Sequence, residues 1–297
     1  MKHLYGGPVV ERIEAEMDSI DVDQPTLAIY LIGDDPGSGI YARSKIKKGK
    51  KLGINAELRS FSSDTPLEEV VAELRRDRDS DEVTGIIIER PLPEGFDLAT
   101  LMNLVPPEKD VEGVTPYNYG LLAQGRPSII PPTPLGAMIL TKHYGIETTG
   151  REVAVLGRSV NVGKPLFLLL SSKSPYGNAT VTQIHSRTES TVTHLERADI
   201  VYSAVGSPGM IKRDMIKSGS VLIDLGISTK KDQKGIFGDV DQASVEGVAS
   251  AVTPTPGGTG PVTVASIFLN LMVSKMNQTG KFSKFEDGII RNIYGIE

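Results

Sequence analysis

The sequence predicts an α/β protein of two domains with largely parallel sheets, and three observations carry that expectation. The chain has 297 residues, more than one ordinary hydrophobic core serves. Short β-rich runs alternate with helical stretches, as strands joined by helical crossovers do. A stretch at 126–134 containing Pro127, Pro131, Pro132 and Pro134 reads as the crossing to a second such series, which opens at Arg151.

In chain order, Thr26–Ile32 (TLAIYLI) reads as a buried strand, followed by the turn Gly33-Asp34-Asp35-Pro36 and a helix through about Leu52. Asn55–Phe61 alternates like a strand, and 66–76 reads as a helix with Ser63 or Asp64 as its cap. Residues 83–88 form a second buried strand, stopped by Pro91-Leu92-Pro93. The second series places strands at Glu152–Leu156, 179–184, 199–205 and 220–225. Pro256-Gly257-Gly258-Thr259-Gly260-Pro261 then opens a final helix near 262–276, with Pro261 suited to be its first residue.

Composition narrows the function. A hydrophobic fraction of 39% together with 31 glycines is ordinary for a soluble globular chain. No stretch approaches the roughly 20 apolar residues of a membrane helix, so no membrane partner is expected. The amino terminus lacks the charged-then-apolar layout of a signal peptide, which predicts a cytoplasmic protein. The absence of cysteine excludes disulfides, thiolate nucleophiles and cysteine-ligated metals. His3, His143, His185 and His194 are scattered without metal-ligand spacing, so no metal is expected. A net charge of −5 argues against nucleic acid as a partner. A small anionic ligand stays open, because local basic groups decide that.

One such ligand has a place after the strand Glu152–Leu156. There Gly157-Arg158-Ser159-Val160-Asn161-Val162-Gly163-Lys164-Pro165 leads into a helix. A strand, a glycine turn and a helix amino terminus make a phosphate site, because glycine admits close approach and unpaired N–H groups face the anion. The spacing differs from GxGxxG, and the same pattern also suits a plain strand-to-helix turn. The next strand ends in His185-Ser186-Arg187-Thr188, where NAD-selective folds carry an acidic residue. Ser186, Arg187 and Arg158 suit a 2′-phosphate, which favours NADP, although Arg187 also reads as a solvated surface arginine.

In the first series, Tyr41 and Lys45 lie four apart and share a helical face. A partly buried lysine can exchange protons near neutrality, and a tyrosine beside it offers a flat face to a heterocycle. Lys45 also stands among Lys47, Lys48, Lys50 and Lys51, which read as solvated. Glu89-Arg90-Pro91-Leu92-Pro93 closes a buried strand, where ligands bind in open parallel sheets. Lys109-Asp110-Val111-Glu112-Gly113 is a charged turn, equally readable as a solvated loop.

Taken together, YxxxK, the strand ending in PLP, KDVxG with Pro116, PxTPxG (131–136), GRSxxVGKP, HSRT, AVGxPG (204–209), DxGI (224–227), GDVD (238–241) and TPxPGGxGPxT (253–263) are collinear over most of the chain. In this order they resemble the bifunctional methylenetetrahydrofolate dehydrogenase/cyclohydrolase family. The resemblance implies an amino-terminal three-layer α/β domain and a Rossmann-type NADP-binding domain, with the active site in the cleft between them and a homodimer as the usual state. The implied division is 1–130 plus carboxyl-terminal helices at about 262–297 for the folate-binding catalytic domain, and 131–261 for the NADP-binding domain.

It further implies NADP-dependent oxidation of 5,10-methylenetetrahydrofolate and hydrolysis of the product to 10-formyltetrahydrofolate, so tetrahydrofolate derivatives are the expected small-molecule partners. Lys45 matches the catalytic lysine, Tyr41 the tyrosine that stacks on the pterin, and Glu112 the family's aspartate for the pterin's amino edge. Arg158, Ser159, Ser186 and Ile227 fall on NADP-contacting positions, and the loop of Pro256, Gly257, Gly258 and Thr263 borders folate and nicotinamide. The family's strand ends in QLPLP where this chain has Glu89 and Arg90. A carboxylate at 89 would hold Lys45 as an ammonium ion unless the pair shares a proton. Hydrolysis needs proton transfer and hydride transfer does not, so Glu89 is expected to bear more on the cyclohydrolase. The rival readings are a dehydrogenase without cyclohydrolase and, from another class, a non-catalytic folate or nucleotide binder.

Overall fold

Apolar side chains occupy both faces of Thr26–Ile32, which suits a strand covered on two sides. In the computed structural model, which describes residues 1–230 and 233–281, it is the middle of a three-stranded parallel sheet. In chain order the first half consists of β1 (Lys2–His3), α1 (Gly7–Asp18), β2 (Thr26–Ile32), α2 (Pro36–Lys51), β3 (Asn55–Phe61), α3 (Leu67–Asp79), β4 (Gly85–Ile88), α4 (Leu98–Met102), α5 (Pro116–Ala123) and α6 (Pro132–His143). The second half has β5 (Glu152–Leu156), α7 (Gly163–Ser171), β6 (Thr180–Ile184), α8 (Thr191–Leu195), β7 (Ile200–Ser203), β8 (Val221–Asp224), β9 (Ser228–Lys230), β10 (Gln233–Phe237), α9 (Gln242–Val245), β11 (Ala251–Val252) and α10 (Thr259–Gln278). The expected carboxyl-terminal helices beyond residue 281 lie outside the described residues.

Two sheets result. The order β3-β2-β4 is parallel throughout, and a six-stranded parallel sheet runs β1-β11-β8-β7-β5-β6. The α/β class and its parallel sheets are therefore as the alternating pattern predicts. On one face of the small sheet, Ala28, Tyr30, Ile86 and Ile88 pack with Val70, Leu74, Leu101 and Met102 of α3 and α4. On the other, Leu27, Ile29 and Ile87 join a core that continues through α6 and α10 to Val153, Val155, Tyr202 and Ile223 of the large sheet. α6 and α10 thus lie between the sheets. They approach closely at Gly136, where a Cβ would stand 3.2 Å from backbone and side-chain atoms of Val262.

Several local expectations need correction. α3 has Pro66 as its N-cap with no side-chain cap hydrogen bond, so neither Ser63 nor Asp64 caps it. The stretch 126–134 is not all crossing: α6 begins at Pro132, and Pro132 and Pro134 are both buried in its first turn. Proline is tolerated there because first-turn N–H groups have no partner inside the helix. For the same reason Pro261 fits as the third residue of α10, which starts at Thr259 and not at Pro261. α1 went unread, although Pro8 sits in its first turn and Val9, Ile13 and Met17 are buried at four-residue spacing.

α10 returns to the first half. Asn270 Nδ2 donates to the carbonyls of Val111 and Ile130, each at 2.8 Å, and Ser274 Oγ donates to Thr84 O. In the opposite exchange, β1 pairs with β11 in the large sheet.

Candidate active site

The catalytic side is assembled at the carboxyl end of β4. Asp35 caps α2 by accepting from Ser38 N at 2.7 Å, and the Ser38 hydroxyl lies 2.8 Å from the Arg90 carbonyl. That contact ties the start of α2 to the end of β4. Two turns along α2, Lys45 Nζ donates to Glu89 Oε1 at 2.5 Å, with both side chains about nine-tenths buried. Lys45 is thus separated by burial from the exposed Lys47, Lys50 and Lys51, while Lys48, expected to be solvated, is instead half-buried in an ion pair with Glu14. Tyr41 sits one turn earlier on α2 and is 47% exposed.

Just past β4, Arg90 reaches a different partner from Glu89. Its Nη2 donates to Glu112 Oε1 at 2.8 Å. Glu112 Oε2 is buried and has no hydrogen-bond partner. Burial pushes the Glu112 carboxyl above the ordinary glutamate value; Arg90 and Lys45 oppose that, while Asp110 and Glu89 add to it.

The charged turn at 109–113 is not a solvated loop. Lys109 Nζ donates to the carbonyls of Asp77, Arg78 and Ser80 at 2.6–3.0 Å, closing the end of α3. Asp110 accepts from Thr115 N and Asn118 Nδ2. These contacts hold the turn so that Glu112 faces the cleft.

The cleft's walls come from both halves of the chain: Lys45, Glu89, Arg90 and Glu112 on one side, Asn161 and Thr263 on the other. Asn161 belongs to the glycine turn after β5, and its Oδ1 is buried without a partner. The glycine turn and the catalytic cleft are therefore contiguous.

That turn bends sharply. Gly157 has φ +112°, and a Cβ there would lie 2.6 Å from Ala204 O; one at Gly163 would lie 2.2 Å from Gly157 O. Only glycine fits either position. Ser159 Oγ accepts from Val162 N at 3.2 Å ahead of α7, while Arg158 stays exposed. Beside it, the turn after β6 is closed by His185 N donating to Thr188 Oγ1 and Thr188 N to His185 O, which leaves Ser186 and Arg187 exposed. β5 has β6 on one side and β7 on the other, the switch point at which parallel sheets bind ligands. A glycine cradle at the amino terminus of a helix with exposed arginines at its rim fits a dinucleotide carrying an additional phosphate.

Ile227 follows β8 and is 48% exposed. The loops around it are held by two carboxylates whose role the sequence did not reveal. Asp224 accepts from Gly226 N, Asp239 N and Val240 N, and Asp239 accepts from Ser203 Oγ, Val205 N and Ser207 N. Burial pushes Asp224 up to about 6. Thr259 Oγ1 donates to Asp224 O at 2.7 Å, and Gly6 N donates to Gly257 O at 2.8 Å. The loop of Pro256, Gly257 and Gly258 is fixed between these contacts, with Thr263 following in the first turns of α10. Arg90 and Asn161 carry no role from sequence; the signal for Arg90 was that it and Glu89 bring charges of opposite sign to positions that QLPLP leaves uncharged. Among the described residues, no group of His, Asp and Glu is arranged to hold a metal ion.

Comparison with known proteins agrees with this layout. Residues 4–112 match the family model for the tetrahydrofolate dehydrogenase/cyclohydrolase catalytic domain, and residues 131–279 the NAD(P)-binding domain of the same family. The bifunctional protein FolD of Maridesulfovibrio salexigens is 37% identical over 91% of this chain and 95% of its own length. The crystal structure of bifunctional 5,10-methylenetetrahydrofolate dehydrogenase/cyclohydrolase from Thermoplasma acidophilum superposes with a TM-score of 0.87, at 33% identity, over 94% of this chain and all of that one. The Trypanosoma brucei enzyme, solved with NADP cofactor and inhibitor, superposes with a TM-score of 0.86 at 28% identity, over 93% of this chain and 98% of that one. The chain belongs to the tetrahydrofolate dehydrogenase/cyclohydrolase family.

Proposed function

We infer that this protein oxidises 5,10-methylenetetrahydrofolate with NADP and hydrolyses the methenyl product to 10-formyltetrahydrofolate. The observation that carries this reading is the single cleft in which the Lys45–Glu89 pair faces Asn161 of the glycine turn. Folate and cofactor bound to their two walls would meet there with their reacting carbons aligned.

NADP, when bound, supplies the hydride acceptor. Gly157 gives its phosphates close approach, Arg158, Ser159, Ser186 and Arg187 take the charged groups, and Ile227 supports the nicotinamide side. Tyr41 offers its ring face to the pterin, Glu112 accepts from the pterin's amino edge, and Pro256, Gly257, Gly258 and Thr263 border the folate. In the hydrolysis the attacking water gives up a proton to solvent, and Lys45, oriented by Glu89, gives one to N5 as the ring opens. Lys45 then takes up the hydroxyl proton of the adduct as the formyl carbonyl forms, so that one proton is released to solvent overall.

Residues 1–130 with the terminal helix form the folate-binding unit, and 131–261 the NADP-binding unit, with β1 lent to the second sheet. A cytoplasmic homodimer of one-carbon metabolism, supplying purine synthesis, is the setting the family resemblance supports. No helix among the described residues is long and apolar enough to cross a membrane.

The test is a paired assay. Methenyltetrahydrofolate should form with NADP faster than with NAD, then disappear faster than in buffer once NADP is exhausted. Methenyl product that decays only at the buffer rate would leave a dehydrogenase alone; no product with either cofactor would refute the reading.

A further inference from the structure

Arg90 is not needed for the chemistry described above, yet it occupies the cleft wall and spends its guanidinium on Glu112. The two charged residues at the end of β4 make separate pairs, Glu89 with Lys45 and Arg90 with Glu112 at 2.8 Å, so four charges balance in one cleft. Glu112 is nearly buried at 14% side-chain exposure, whereas Arg90 is 32% exposed. Arg90 therefore brings its charge inward from the cleft mouth to a carboxylate that water barely reaches. Only one oxygen of Glu112 is used; Oε2 is buried and lacks a donor. A buried acceptor left unpaired is costly, which suits an oxygen awaiting a donor from a ligand.

We propose that Arg90 is a positioning residue for the folate: it clamps Oε1 of Glu112 so that the other oxygen is presented, still charged, to the N–H donors of the pterin's amino edge. This rests on reading Glu112 as the pterin ligand. The groups facing Glu112 decide its charge. Arg90 and Lys45 favour the anion, and Asp110 and Glu89 disfavour it. Arg90 is the larger of the two favourable charges, so without it Lys45 alone stands against burial and two like charges. A protonated carboxyl would turn an O–H toward donors and accept poorly from them.

The test compares wild type with Arg90→Met, Arg90→Lys, Glu112→Gln and the Arg90→Met/Glu112→Gln double variant. KM for methylenetetrahydrofolate is measured from pH 6 to 9 beside calorimetric binding of tetrahydrofolate, with unchanged NADP affinity as the check on folding. Arg90→Met should weaken folate binding about tenfold at neutral pH, with the loss in KM more than in kcat. The acid limb of 1/KM should move up by about one pH unit, because an adjacent opposite charge lowers a carboxyl by roughly that much or more. Arg90→Lys should restore most of the binding, and Arg90→Met should add little in the Glu112→Gln background. An equal loss in that background would overturn the proposal, since Arg90 would then act on the substrate directly; so would an acid limb that does not move. If Glu112→Gln itself leaves KM unchanged while activity persists, the assignment of Glu112 to the pterin falls, and this role for Arg90 with it.

Discussion

The two walls of the cleft are built by opposite means. The wall proposed for folate consists of side-chain charges taken out of water and paired, Lys45 with Glu89 and Arg90 with Glu112. The wall proposed for the cofactor is made of backbone bent at Gly157 and Gly163, with Arg158, Ser186 and Arg187 left in solvent around it. The difference follows from the tasks. Proton transfer and pterin recognition depend on charges whose strength comes from exclusion of water. Phosphate groups arrive fully charged, and need shape and exposed cations. A buried pair is expensive to break, because the remaining partner is stranded; an exposed arginine can be exchanged at small cost to the fold.

The contrast can be broken most forcefully at Lys45. Lys45→Met should reduce the cyclohydrolase about a hundredfold or more, in keeping with general acid–base contributions, while dehydrogenase activity remains measurable. Methenyltetrahydrofolate decay gives the first rate and its NADP-dependent formation the second; an unaffected decay would remove Lys45 from the mechanism. On the other wall, Arg187→Ala should raise KM for NADP about tenfold to a hundredfold, as loss of a charge-assisted contact does, and leave KM for NAD and the melting temperature nearly unchanged. A fall in melting temperature would mean that the exposed rim also braces the fold. The smallest effect belongs to Glu89→Gln, which should change the cyclohydrolase within about tenfold and the dehydrogenase less, because an amide can still accept from Lys45 but lacks the negative charge that faces it. Equal effects on the two rates would dissolve the assignment of Glu89 to hydrolysis.

Much of this was legible in the chain. β2, β3 and β5 follow from apolar or alternating runs bounded by turn residues, and the collinear motifs identify both walls of the cleft. What stayed hidden depends on distant partners. Nothing local distinguishes Lys45 from Lys47 or Lys48; only the packing of α2 on β4 does, through Ser38 and the Arg90 carbonyl. Lys109 looks solvated in sequence because its three acceptors are backbone carbonyls that exist only once α3 ends beside it. α6 was missed because prolines signal loops by composition, although at a helix start they cost nothing. The pairing of Arg90 with Glu112 spans 22 residues, and in sequence shows only as two charges of opposite sign.

The core that runs from Leu27 and Ile29 through α6 and α10 to Val155 and Tyr202 has a consequence for cooperativity. Neither sheet owns its inner hydrophobic face; each is covered by helices that the other also needs. Stripping away one half would leave α10 with an uncovered flank and leave Asn270 without the carbonyls it bridges. The two halves are thereby bound into one unit of unfolding.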